Sequence, residues 1–174
     1  GDLAFRANFA TIDNLKNGNI LDRRVGRTLT TREAEVLATA INKIKLTIPF
    51  VFKATIQHRA SMVFKGGLSD NISGNDLTYQ KGVIKSRDKI VSCKPLDDED
   101  NSLYTSNLVN GFLTKVYETI NNHPENEFRR KKGLLPANYL LLRGAGIEPP
   151  RLKQYKKWMS VCYMPLEIGI SKLS

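Results

Sequence analysis

Residues 137–150, ANYLLLRGAGIEPP, run apolar and then meet one arginine followed by Gly-Ala-Gly. A guanidinium at the tip of a buried strand is a permanent cation whose planar fork matches two oxygens of a carboxylate or phosphate. Gly144 and Gly146 beside it let backbone N–H groups approach an anion closely. In α/β sheets ligands gather beyond the carboxyl ends of strands. Arg143 is therefore the first candidate for substrate binding. Its local alternative is a turn in which it caps a helix or pairs with an acid. Arg23, Arg24 and Arg27 crowd one strand-to-helix connection, as an anion clamp or as a solvated basic turn. Arg6, between Phe5 and Ala7 in a strand, either points outward or needs a partner. His58 and Arg59 follow: alternation puts His58 on an apolar face, where a hydrogen-bonded core histidine is the plainer reading, and Arg59 on the polar face.

Little else in the chain suggests reaction chemistry. The Walker and GxGxxG patterns are absent, as are a nucleophile elbow and a triad. His58 and His123 are the only histidines, which argues against a His-rich metal site. Cys93 and Cys162 lack CxxC or CxxH spacing and are expected to be buried reduced thiols in strand-like surroundings. The expectation is binding with neither catalytic residues nor metal ligands in this stretch. The FRRKK run at 128–132 is expected to be a solvated helix face.

The elements that must position these side chains follow from periodicity. Leu3 to Ile12 is a strand, and Asn17-Gly18 is a hairpin-turn signal. Thr30 and Glu33 have capping-box spacing, and Ala34, Leu37, Ile41 and Ile44 predict a helix from Thr31 to Lys45. Phe50 to Lys65 alternates and is one long strand or a hairpin. Gly66 to Gly82 is a loop, and Val83 to Cys93 holds a short strand. PLDDEDNS supplies a helix N-cap. The stripe Leu108, Val109, Phe112, Leu113, Val116, Tyr117, Ile120 makes a strong helix ended by His123-Pro124. PENEFRRKKG is a short helix with Pro first and Gly last. Ala137 to Leu142 is a strand buried on both faces. A helix over Pro150 to Trp158, a strand over Val161 to Tyr163 and a final helix complete the pattern. Interspersed strands and helices predict an α/β (α+β) class with a mixed sheet flanked by helices.

The 174 residues suit a single domain, enough to bury roughly 70% of the unfolded surface. Net charge is +10, so the partner is expected to be anionic: nucleic acid, a membrane surface or a phosphorylated metabolite. No apolar run approaches the ~20 residues of a membrane span. The first residues show no signal-peptide pattern, and a cytoplasmic location is expected.

Several stretches together resemble a known family. GDLAFRANFATID, DRRVGR, HRASMVFKG, HPENEFRRKKGLLPANYLLLRGAG and MPLEIGISKL are similar, in order and along almost the whole chain, to the archaeal-type cofactor-independent phosphoglycerate mutases of the alkaline phosphatase superfamily. The sequence departs from them at Asp76-Leu77, where many relatives have Asp-Pro, and at Gln57, where Gly is common before His-Arg. The resemblance implies an isomerase of glycolysis that interconverts 3-phosphoglycerate and 2-phosphoglycerate without 2,3-bisphosphoglycerate. It implies that residues 1–174 are the substrate-binding domain inserted into a two-metal phosphatase core. The Mn, Mg or Co ions and the phosphoryl-accepting serine then lie in that core, outside this sequence, and the fragment alone is inactive. Arg143, Arg23 with Arg24 and Arg27, His58, Arg59 and Arg6 become the residues that hold phosphoglycerate. The alternatives are a basic nucleic-acid-binding module, weakened by the lack of aromatics on one strand face, and a sister phosphotransferase for another phosphorylated metabolite. A membrane partner is not expected.

Overall fold

A computed structural model describes residues 1–76 and 89–174. The sheet is built from β1 (Leu3–Ile12), β2 (Ile20–Asp22), β3 (Phe50–Ala54), β4 (Arg59–Phe64) and β5 (Tyr139–Gly146). The helices are α1 (Thr31–Ile41), α2 (Asp100–Ile120), α3 (Pro124–Lys131) and α4 (Pro165–Leu173). The strand order is β2-β1-β4-β3, and β5 pairs with the other side of β1. The α/β class holds, with one correction: every ladder among the described strands is antiparallel, so the sheet is not mixed. The connections explain this. β3 and β4 form a hairpin, and the return to β5 passes through two helices to run against β1.

Alternation decides the faces. Leu3, Phe5, Ala7 and Phe9 of β1 are buried with Phe52, Ala60, Met62 and Phe64. Phe112 of α2 packs edge-on against Phe64 and Phe50, with ring centroids 5.4 and 5.1 Å apart. The hairpin pairs Ala54 with Ala60 and Phe50 with Phe64, so a straight strand and a hairpin give the same alternation. That is why the sequence left the two open.

Helix ends follow local chemistry. Thr30 caps α1 in a capping box, its Oγ1 accepting from the Glu33 N–H at 3.2 Å. The helix stops at Ile41, short of Lys45, because Asn42 turns its amide to β3. Its Nδ2 donates to the Phe52 carbonyl at 2.7 Å, and its Oδ1 accepts from the Phe52 N–H at 2.9 Å. His123 caps α3 through Nδ1, which accepts from the Glu125 N–H, and Pro124 takes the first helical position.

Several expectations need correction. Residues 150–158 form no helix, since the residues after Pro150 offer no apolar stripe to bury. Residues 161–163 form no strand, and Val161 is 97% exposed. Cys93 is buried, but Cys162 is only half-buried in irregular chain. The FRRKK run is not wholly solvated, since Arg129 is completely buried. The expected strand over Val83 to Cys93 lies, up to position 88, outside the described residues, as does the end of the loop over Gly66 to Gly82; Lys89 makes an isolated bridge to Asn19.

Candidate anion-binding site

Arg143 does not sit at a strand tip. β5 continues to Gly146, and the pairing with β1 slips between Arg6↔Arg143 and Ala4↔Gly146. Two β5 residues oppose one of β1, a bulge opened by Gly144 with φ 66°. Among the described residues, a Cβ at Gly144 or Gly146 would meet nothing within 4 Å. The site therefore lies on the polar face of an antiparallel sheet, not in a crevice beyond strand ends.

Register gathers the side chains. Arg6 is directly opposite Arg143 on one side and Ser61 on the other, and Asn8 is opposite Arg59. Like charges directly across a ladder repel, so this face is suited to an anion. Arg23 and Arg24 reach it from the connection after β2. A cavity of about 90 Å³ is lined by Arg6, Asn8, Arg23, Arg24, His58, Arg59, Asp76 and Arg143. Five guanidinium groups thus face one carboxylate among the described lining residues. Arg27 is the exception among the sequence candidates: it is exposed and does not line the cavity.

The connection that carries Arg23 and Arg24 is unusual. Val25, Gly26 and Arg27 all have left-handed backbones, with φ of 55, 61 and 57°. For the two non-glycine residues this costs about 1–2 kcal/mol each. Asp22 Oδ1 accepts from the N–H groups of Arg24 and Gly26 at 2.7 and 2.8 Å and holds the start of the turn.

Asp76 and Asn8 were not legible as site residues. Asp76 pairs with Arg23, and its Oδ2 lies 4.0 Å from Arg143 Nη1, with the carboxylate side chain 3% exposed. Its position is built by its neighbours. Asn75 Oδ1 accepts from the Leu142 N–H at 2.5 Å and its Nδ2 donates to the Leu140 carbonyl at 3.0 Å, lacing the segment along β5. Gly74 permits that approach, since a Cβ there would lie 2.2 Å from the Leu142 carbonyl oxygen. The only signal in the sequence was a polar Gly-Asn-Asp run in a loop.

His58 is 6% exposed, and among the described residues its Nδ1 has no hydrogen-bond partner; nor has Asn8 Oδ1. Burial, reinforced by Arg59, Arg24 and Arg27, drives the imidazole pKa down to about 4. His58 is thus a neutral group in a cationic cavity. The unfolded chain takes up this proton near pH 6.5, before the folded chain does, so stability declines as pH falls from about 6.5 towards 4. A ring titration by NMR checks this: a pKa near 6.5 in the folded protein would contradict it. Gln57, just before it, has φ 53° and an N–H bonded to Thr31 Oγ1 at 3.1 Å. The glutamine therefore occupies a left-handed conformation that glycine adopts without strain and that costs any other side chain energy.

A sequence profile described as 2,3-bisphosphoglycerate-independent phosphoglycerate mutase matches residues 1–126. The chain belongs to the 2,3-bisphosphoglycerate-independent phosphoglycerate mutase family. It is 41% identical, over 99% of its length, to the enzyme of that name numbered 1 from Methanocaldococcus jannaschii, and covers 41% of that protein. It is 42% identical over 90% of its length to the Archaeoglobus fulgidus protein, covering 37% of it. The solved cofactor-independent phosphoglycerate mutase from Thermoplasma acidophilum superposes with a TM-score of 0.70 at 36% identity, over 86% of this chain and 38% of that one. The chain therefore spans about two fifths of the length of the relatives it matches.

For a mutase-family chain the remaining groups are quiet. Burial pushes the Cys93 thiol up to about 12, far from a reactive thiolate. Among the described residues no group of three or more His, Cys, Asp or Glu side chains is placed to hold a metal ion. No helix among them is long and apolar enough to cross a membrane. Neither the family nor the cavity favours the nucleic-acid module or the sister phosphotransferase.

Proposed function

We propose that this chain is the substrate-binding domain of a 2,3-bisphosphoglycerate-independent phosphoglycerate mutase acting in cytoplasmic glycolysis. The observation that carries this reading is the convergence of Arg6, Arg23, Arg24, Arg59 and Arg143 on one cavity with neutral His58 and with Asp76. Phosphoglycerate carries a carboxylate, a phosphate and a hydroxyl. The arginines suit the two anionic groups through charge-assisted, forked hydrogen bonds. Asp76 and His58 supply acceptors for the hydroxyl, which guanidinium groups alone cannot do. Glycerate keeps its carboxylate after the phosphoryl group leaves, so the same cations retain it while its hydroxyls exchange places. The domain's part is to bind and orient. The phosphoryl-accepting serine and the two divalent ions, Mn, Mg or Co, belong in this reading to a phosphatase-like remainder of the protein.

The test is titration of 3-phosphoglycerate into the 174-residue chain, followed residue by residue by NMR. Shifts should centre on Arg23, His58 and Arg143. Shifts confined to Arg130–Lys132 would reduce the interaction to a basic helix surface and remove the proposal.

A further inference from the structure

Arg129 is the largest completely buried side chain among the described residues, and it lies outside the cavity. A charge so buried persists only when its hydrogen bonds are met. Its Nε donates to the Leu135 carbonyl at 2.9 Å, and its Nη1 to Glu33 Oε1 at 2.7 Å. Its Nη2 donates to Thr28 Oγ1 at 2.7 Å, and Thr28 Oγ1 in turn donates to the Val25 carbonyl at 3.0 Å. The guanidinium is thus wired, through one hydroxyl, to the first residue of the left-handed turn. Glu33 adds a second tie, because its other oxygen accepts from the Thr30 N–H at 2.7 Å and fixes where α1 begins.

We infer that Arg129 is a positioning residue for the substrate site: through Thr28 and Glu33 it holds the left-handed turn that presents Arg23 and Arg24 to the cavity. The inference rests on the proposed function of that cavity. Asp22 secures the turn from its start and Arg129 from its end, with both site arginines close to the Asp22 end. A strained backbone persists only where its surroundings over-determine it, and α3 supplies part of that constraint. A lysine would keep the charge but could not serve Leu135, Thr28 and Glu33 from one planar fork.

Two variants of the 174-residue chain test this, Arg129→Lys and Thr28→Val. Each is measured by amide hydrogen exchange at Arg24 and Gly26 and by 3-phosphoglycerate titration. Exchange at both amides should quicken about tenfold, and the dissociation constant should rise roughly five- to tenfold, as expected when site groups are misplaced by a fraction of an ångström to an ångström. Wild-type affinity in both variants overturns the inference, whatever their melting temperatures, and leaves Arg129 a purely structural residue. Arg23→Ala serves as the control for the function itself. If that variant binds 3-phosphoglycerate as well as the unmutated chain does, the cavity reading fails. The exchange data then still report whether Arg129 holds the turn.

Discussion

On the proposed function, Arg143→Ala in a complete mutase containing this chain should lower kcat/KM for phosphoglycerate by roughly 10- to 150-fold while leaving the fold intact. The magnitude corresponds to a charge-assisted hydrogen-bonded pair of about 1.5–3 kcal/mol, at ~1.4 kcal/mol per tenfold. The fold should survive because the side chain is partly exposed, opens onto the cavity and fills no core volume. Asp76 keeps its pairing with Arg23, so the carboxylate is not left stranded in the variant. Removing Arg143 also relieves like-charge repulsion with Arg6, its register partner across the ladder, so the melting temperature should change little. Lysine should restore only part of the activity, because an ammonium lacks the fork. Steady-state kinetics and a thermal melt of both variants decide the matter. Near-normal kinetics with a large fall in melting temperature would make Arg143 a structural residue.

Arg129→Ala should have the opposite profile, with stability lost first. It deletes a completely buried guanidinium from its ion pair with Glu33, whose side chain is 18% exposed, and removes the donor to Glu33, Thr28 and the Leu135 carbonyl. Losing one partner of such a pair costs about 3–5 kcal/mol. A protein of this kind is stable by about 5–15 kcal/mol in total. At this chain length the corresponding fall in melting temperature is about 6–20 °C. Urea unfolding of the chain and the variant measures it. A loss below about 1 kcal/mol would mean that the guanidinium is not committed to these contacts in solution.

The contrast between these two arginines shows what local sequence determines. β1 was legible because the alternation from Leu3 to Phe9 leaves one choice of face, and the apolar or small residues that follow carry the strand to Ile12. The capping box, the α2 stripe and the Pro–Gly frame of α3 were legible for the same reason: each is written within a few residues. The candidate arginines were legible as residue types suited to an anion. Their convergence was not, because it depends on register: Arg6 meets Arg143, and Asn8 meets Arg59, only once three strands are paired antiparallel. The direction of pairing is itself a tertiary matter, and it moved the site from beyond a strand end to the face of a sheet. Asp76 entered the site through a backbone approach that Gly74 permits and Asn75 secures, with partners more than sixty residues away. Arg129 stands in a run of four basic residues that local pattern treats alike. Only the packing of α3 against α1 turned that one inward, because burial of a charge depends on partners brought from Thr28 and Glu33, about a hundred residues earlier in the chain.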